Sequence, residues 1–153
     1  MRKYYPNYSI GTDAYADIPM VCEKYGTKAV IIGGTHALAA AADLIKEAVA
    51  DSNIMITGVF EYGGEASREH IDELNSHQEV IDADMIFACG GGKAIDTCKV
   101  LSRKATDHSL HFQRLLLLVL LVHHLVSSII QMVPFVNILS RRNLLNGSLS
   151  IHK

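Results

Sequence analysis

Cysteine is scarce in this sequence and never appears in a paired pattern. Cys22, Cys89 and Cys98 form no Cys-x-x-Cys unit, which leaves no signature of a redox or zinc motif. No secretory leader opens the chain, so the expectation is three reduced thiols in a cytoplasmic protein. Histidine is equally uninformative as chemistry. His36, His70 and His77 are scattered, with no His-x-x-x-His pair, and no Ser-His-Asp set can be assembled. Positive charge is short: the net charge is −2, and residues 1–102 hold 15 acidic against 8 basic side chains. That balance argues against a nucleic-acid partner. Long apolar runs are missing too. The longest unbroken one, from Leu115 to Val122, is eight residues, whereas a bilayer span needs ~20.

The composition also breaks in the middle. Residues 1–102 contain 10 of the 11 glycines and only 4 leucines; residues 103–153 contain one acid (Asp107), one glycine (Gly147) and 12 leucines. One domain of 153 residues has ordinary size, but a folded domain rarely changes its residue usage so abruptly. The reading is an α/β domain over 1–102 and a leucine-rich tail over 103–153, poorly packed or helical.

The first part is organised around Ala83 to Val100. Met85 to Cys89 is an apolar run of the kind that a sheet covered on both faces requires. Gly90, Gly91 and Gly92 then turn the backbone sharply and let it approach a ligand closely. A helix follows, whose free N–H groups and positive dipole end suit a phosphate. Lys93 adds a point charge, and Asp96 stands where it could cap or hydrogen-bond the turn. The same pattern also serves a plain strand-to-helix turn that uses glycine for geometry alone. Cys89 reads as core packing, and Cys98 as a structural thiol on the following helix.

Upstream, residues 1–10 read as an extended segment or edge strand ending at Gly11. Residues 14–25 have helical spacing with a start delayed or kinked by Pro19. Lys28 to Gly34 is a β-branched strand ending in glycine, and residues 35–49 are an alanine-rich helix facing the sheet through Leu38, Ala41, Ala42, Ile45 and Val49. Residues 54–60 form the next strand. Ser67 can cap a helix with a rough apolar stripe at Ile71, Leu74, Gln78 and Val80. Strand and helix alternate, which predicts a Rossmann-like parallel sheet with right-handed crossovers. Gly33-Gly34, Gly63-Gly64 and Gly90-Gly91-Gly92 all fall near strand carboxyl ends, where such sheets bind ligands.

Three stretches carry a family resemblance. Gly90-Gly91-Gly92-Lys93-Ala94-Ile95-Asp96-Thr97-Cys98-Lys99 resembles the GGGK-x-x-D-T-x-K signature of the iron-containing alcohol dehydrogenase and glycerol dehydrogenase family. Tyr8-Ser9-Ile10-Gly11 with Ala14-Tyr15 is similar to its opening strand and helix, and Gly63-Gly64-Glu65-Ala66-Ser67 to its GGE-x-S loop. The resemblance implies the nucleotide-binding domain of the dehydroquinate-synthase-like fold. It assigns dinucleotide contacts to Gly92 and Lys93, shaping of the turn to Gly90 and Gly91, and support to Asp96. It puts Gly34 where many members carry an acidic residue for the adenosine ribose, so NAD and NADP both stay open. It further implies hydride transfer between a small alcohol or polyol and the nicotinamide, with zinc or iron as Lewis acid in the intact enzyme. The family's metal ligands, one Asp and two His, have no match here. Adjacent His123-His124 would point apart on a helix, with no carboxylate nearby. Self-association into a homo-oligomer stays open.

The tail has two readings. As a membrane span it is interrupted by His123-His124, Ser127-Ser128, Gln131 and Pro134, so a free-standing nucleotide-binding module with a membrane- or partner-binding tail is the alternative. The other reading is a shifted reading frame. The degenerate codons of residues 107–120, read one frame over, permit Pro-Phe-x-Thr-Phe-Pro-Thr-Ile-Ala-Ser-Thr-Cys-Ala, similar to the family's PTIAST-type continuation. Those of residues 131–138 permit Asp-Gly-Ser-Phe-Arg-Glu-Tyr, similar to its D-G-x-F-x-x-Y stretch. With the composition break, this predicts a frameshift near Arg103 and a truncated, inactive family member with no catalytic or metal residues of its own.

Overall fold

The computed structural model describes residues 8–10, 14–108, 116–121 and 129–134, with side chains for 14–102. Three strands, Lys28–Gly33 (β2), Met55–Glu61 (β3) and Met85–Cys89 (β4), run parallel, with β2 between the other two. Their composition explains their place. Ala29 to Ile32 and Met85 to Cys89 have no polar position to offer to water, and all are buried. Alternate residues serve opposite faces. Ala29, Ile31, Met85, Phe87 and Cys89 pack with Ile18, Cys22, Ile45 and Val49 on one side. Val30, Ile32, Ile86 and Ala88 pack with Ile71, Leu74, Cys98 and Leu101 on the other. Each large side chain fully buried there, such as Phe87 or Ile31, contributes about 1.5–3 kcal/mol of transfer free energy.

The helices sit where the sequence puts them, with three differences. Residues 14–25 are not one helix: a 3-10 turn at Ala14–Asp17 leads into Ile18–Cys22 (α1), and a second 3-10 turn covers Glu23–Tyr25. Pro19, without an N–H, occupies the first turn of α1, where that donor would be unpaired anyway. Thr35–Val49 (α2) buries Ala41, Ala42, Ile45 and Val49 as expected, with Leu38 half-buried beside them. Arg68–Leu74 (α3) starts at Ser67, whose Oγ accepts from the His70 N–H at 3.3 Å. It stops at Asn75, and a separate turn, Gln78–Ile81 (α4), follows. His77 between them is extended, with ψ 127°. Gly92–His108 (α5) follows β4.

The third difference concerns the tail. The expected boundary at 102/103 falls inside α5, and the leucine run is a strand, not a helix. Leu116–Leu121 (β5) lies parallel to β4, pairing Leu116 to Leu120 with Met85 to Cys89. Ile129–Pro134 (β6) is antiparallel to β5, and Tyr8–Ile10 (β1) antiparallel to β6. The complete order is β1-β6-β5-β4-β2-β3. A short apolar run satisfies either periodicity; the open edge of β4, with its unpaired backbone groups, decides for a strand. Whether the tail packs loosely rests on side chains outside the described ones, as does the His123-His124 pair.

At the amino ends of the strands, one carboxylate joins two of them. Asp84 Oδ2 accepts from the backbone N–H groups of Thr27 (2.9 Å) and Lys28 (3.0 Å), and the Asp84 N–H donates to the Lys28 carbonyl at 2.9 Å. This fixes the register of β2 against β4 and leaves their opposite ends aligned.

Candidate functional site

The carboxyl ends of β2, β3 and β4 come together as a glycine-lined edge. The Gly34 N–H donates to the Cys89 carbonyl (3.3 Å), and the Tyr62 N–H to the Gly33 carbonyl (3.1 Å). Gly33 is required by this closeness: a Cβ there would stand 2.4 Å from the Cys89 carbonyl oxygen. Gly90 is required by its backbone, with φ +136°. An open cleft of about 330 Å³ results, lined by Gly33-Gly34, Thr35, His36, Glu61, Tyr62 and Gly90-Gly91 among others. The three glycine stretches picked out in the sequence therefore share one edge, Gly33-Gly34 with Gly90-Gly91 as expected.

Gly91 and Gly92 are different. Neither has a left-handed φ, both are exposed, and a Cβ on either would meet nothing within 4 Å. Among the described residues nothing inside the protein demands glycine at these two positions, and the backbone of the turn is left bare. The Ile95 N–H donates to the Gly91 carbonyl at 3.1 Å, so α5 starts here and its first N–H groups point over the bare turn. Gly34 is also free of internal demand, since a Cβ there would make only an ordinary 3.4 Å contact with Tyr62.

Lys93 projects beside the turn and forms an ion pair with Glu65 at 2.5 Å, both side chains mostly exposed at 59% and 68%. The Glu65 hydrogen bond, and then its charge, hold the Lys93 ammonium above the usual lysine range. The lysine is thus charged at any physiological pH and already oriented across the mouth of the loop. That loop has its own supports. Tyr62 Oη donates to the Gly64 carbonyl (3.1 Å), and His70 Nδ1 lies 3.1 Å from the Glu65 carbonyl oxygen. Sequence reasoning treated His70 as a scattered surface or helix-edge histidine; its contact with the Glu65 carbonyl follows from the path of the loop.

Asp96 is a correction. It does not cap the glycine turn: it lies on the exposed face of α5, and its Oδ1 accepts from Lys99 Nζ at 3.2 Å, one turn further on. Thr97, buried, donates to the Lys93 carbonyl at 2.9 Å and secures the first turn instead. The cysteines are structural. Burial pushes Cys22 and Cys89 up to about 12, and Cys98 higher still, so none is a ready nucleophile.

A dinucleotide suits this edge on the observations above: bare glycines at a helix start, a cation beside them, and a cleft running over Gly33-Gly34. A metal centre does not. Among the described residues no three His, Cys, Asp or Glu side chains converge. Nor is any helix among them long and apolar enough to cross a membrane.

A family model described as iron-containing alcohol dehydrogenase matches residues 6–139. A glycerol dehydrogenase of Escherichia coli O6:H1 is 25% identical over 95 residues, which is 62% of this chain and 26% of the relative. Among solved structures, glycerol dehydrogenase from Schizosaccharomyces pombe superposes with a TM-score of 0.53 at 26% identity, covering 61% of this chain and 23% of that one. The iron-containing alcohol dehydrogenase from Thermococcus thioreducens gives a TM-score of 0.54 at 18% identity, covering 79% and 40%, a likeness of fold alone. The chain spans about a quarter of the length of the curated relative that it matches.

Proposed function

From the chain's membership of the iron-containing alcohol dehydrogenase family, we propose that its glycine-lined edge is the nicotinamide-dinucleotide site of an alcohol or polyol oxidoreductase. The single observation that carries this is the bare pair Gly91-Gly92, glycines with no internal reason to be glycine, at the start of α5. The pyrophosphate would lie on the free N–H groups of that turn, whose partial positive charge offsets the phosphate charge. Lys93 would add its own charge, exchanging Glu65 for a phosphate oxygen. Gly33-Gly34 would let the rest of the nucleotide cross the strand ends without a side chain in its way. When bound, the nicotinamide supplies the hydride acceptor for alcohol oxidation.

The substrate is a small alcohol or polyol, in keeping with the glycerol dehydrogenases that this chain resembles. Alkoxide stabilisation in the intact enzyme would fall to zinc or iron, for which the described residues offer no ligand set. A chain without that electrostatic stabilisation loses what is often the largest catalytic contribution. The described part is then a nucleotide-binding half, cytoplasmic and inactive alone. A shifted reading frame after Arg103 is supported by the leucine-rich break in composition and by the family-like peptides that the neighbouring frame permits, while the family match, which runs on to residue 139, counts against it.

Two measurements test this. The nucleotide sequence around the Arg103 codon should reveal an open continuation in the other frame, encoding a helical domain with one Asp and two His ligands; an interrupted alternative frame would contradict the truncation. The purified chain, assayed with NAD and NADP, glycerol and short diols, and added zinc or iron, should show no turnover. Turnover that persists free of host dehydrogenases and disappears on Lys93→Ala would contradict the inactive reading.

A further inference from the structure

The strand beside the glycine turn ends in Gly33-Gly34 with no acidic residue, yet one strand further on a carboxylate lines the same cleft. Glu61 ends β3, stands in register with Gly33 at the end of β2, and lies beside Tyr62, whose N–H is bonded to the Gly33 carbonyl. Its side chain is exposed, and among the described residues no hydrogen bond or ion pair occupies it. The other carboxylate nearby, Glu65, pairs with Lys93 across the mouth of the loop and does not line the cleft. Among the described residues, Glu61 is therefore the unpaired carboxylate of the cleft lining.

Resting on the nucleotide reading above, we infer that Glu61 holds the adenosine ribose and makes this site select NAD over NADP. In dinucleotide-binding sheets the pyrophosphate sits at the glycine turn and the adenosine ribose crosses the neighbouring strand, where a carboxylate accepts from the free 2′-hydroxyl. Here the turn follows β4 and the neighbouring strand, β2, ends in Gly33-Gly34 with no side chain to offer. The bare glycines open the way to β3. Two strand spacings, roughly 10 Å, separate β4 from β3, within reach of a ribose attached through a diphosphate. A carboxylate accepts a hydroxyl hydrogen bond at that point and repels a 2′-phosphate, so the same residue favours one cofactor and rejects the other. Among the described residues no lysine or arginine lines the cleft to welcome the extra phosphate.

The test is a fluorescence titration of the full chain with NADH and with NADPH, repeated on Glu61→Gln and Glu61→Arg, with circular dichroism of each variant as the folding control. The wild-type chain should prefer NADH by about tenfold or more, the measure of one charge-assisted hydrogen bond. Glu61→Gln should bring the ratio close to one, and Glu61→Arg should turn it toward NADPH. An unchanged ratio in both folded variants, or a wild-type preference for NADPH, would overturn the assignment of Glu61 while leaving the nucleotide site standing. Binding of neither nucleotide to a folded wild-type chain would overturn the nucleotide reading and this one with it.

Discussion

Two alanine substitutions on the same glycine edge should have opposite effects. Gly33→Ala places a methyl group 2.4 Å from the Cys89 carbonyl oxygen, where two hydrogen-bonded strand ends meet. Neither backbone can retreat without weakening the Gly34 and Tyr62 hydrogen bonds, so the change should destabilise by about 1–3 kcal/mol, the usual cost of overpacking. Gly92→Ala places its methyl in open space at the start of α5. It should leave the fold intact or stabilise it by up to about 1 kcal/mol, because alanine loses less backbone freedom. Yet that methyl would stand over the bare turn and hold a phosphate away from the N–H groups. Affinity for NADH should therefore fall about tenfold or more, the loss expected when charged hydrogen bonds lengthen. Urea denaturation reads the first effect and fluorescence titration the second. If Gly92→Ala bound NADH as well as the wild-type chain did, the account of the bare glycines would fail. A Gly33→Ala variant of unaltered stability would show that the strand ends are not closely joined.

Three further outcomes follow from the same geometry. Asp84→Ala removes the acceptor of two backbone N–H groups and should cost about 1–3 kcal/mol; equal denaturation midpoints would show that the clamp is dispensable. Lys93→Ala should weaken NADH binding and flatten its dependence on salt, with the melting temperature unchanged because the Glu65 pair is exposed. The folded chain should resist thiol alkylation at neutral pH and react at all three cysteines once unfolded. Burial raises the Cys22 and Cys89 thiols from 9.0 to about 12. Their contribution to stability is thus fully present below pH 9 and is lost as pH rises toward 12, because the unfolded chain releases those protons first. Rapid labelling of the native chain would contradict that placement.

What was legible in the sequence was whatever local pattern decides. The β2 and β4 runs have no polar position, and a two-faced burial is the only way to hide them; α2 is alanine-rich, and Ser67 stands at the start of α3 as a cap should. The glycine stretches marked strand ends because buried parallel strands need turns there. What escaped was settled by partners distant in the chain or by competition between equal patterns. Asp84 finds Thr27 and Lys28 more than fifty residues away, and Lys93 finds Glu65 on another loop. Asp96 had a local partner, Lys99, which outcompeted the turn for its carboxylate. The leucine run fitted helix and strand alike until the open edge of β4 was in view. His70 was passed over because its role depends on the path of the loop, which no spacing in the sequence fixes.

The most direct test of the nucleotide site is amide hydrogen exchange of the full chain with and without NADH. Binding at the glycine edge predicts slowed exchange at Gly91, Gly92 and Lys93 together with Gly34, while the hollow between α2 and β3 lined by Lys46, Val49, Ile54 and Val59 keeps its free-state rates. Protection confined to that hollow, with the Gly91 to Lys93 amides unaltered at saturating NADH, would contradict the account.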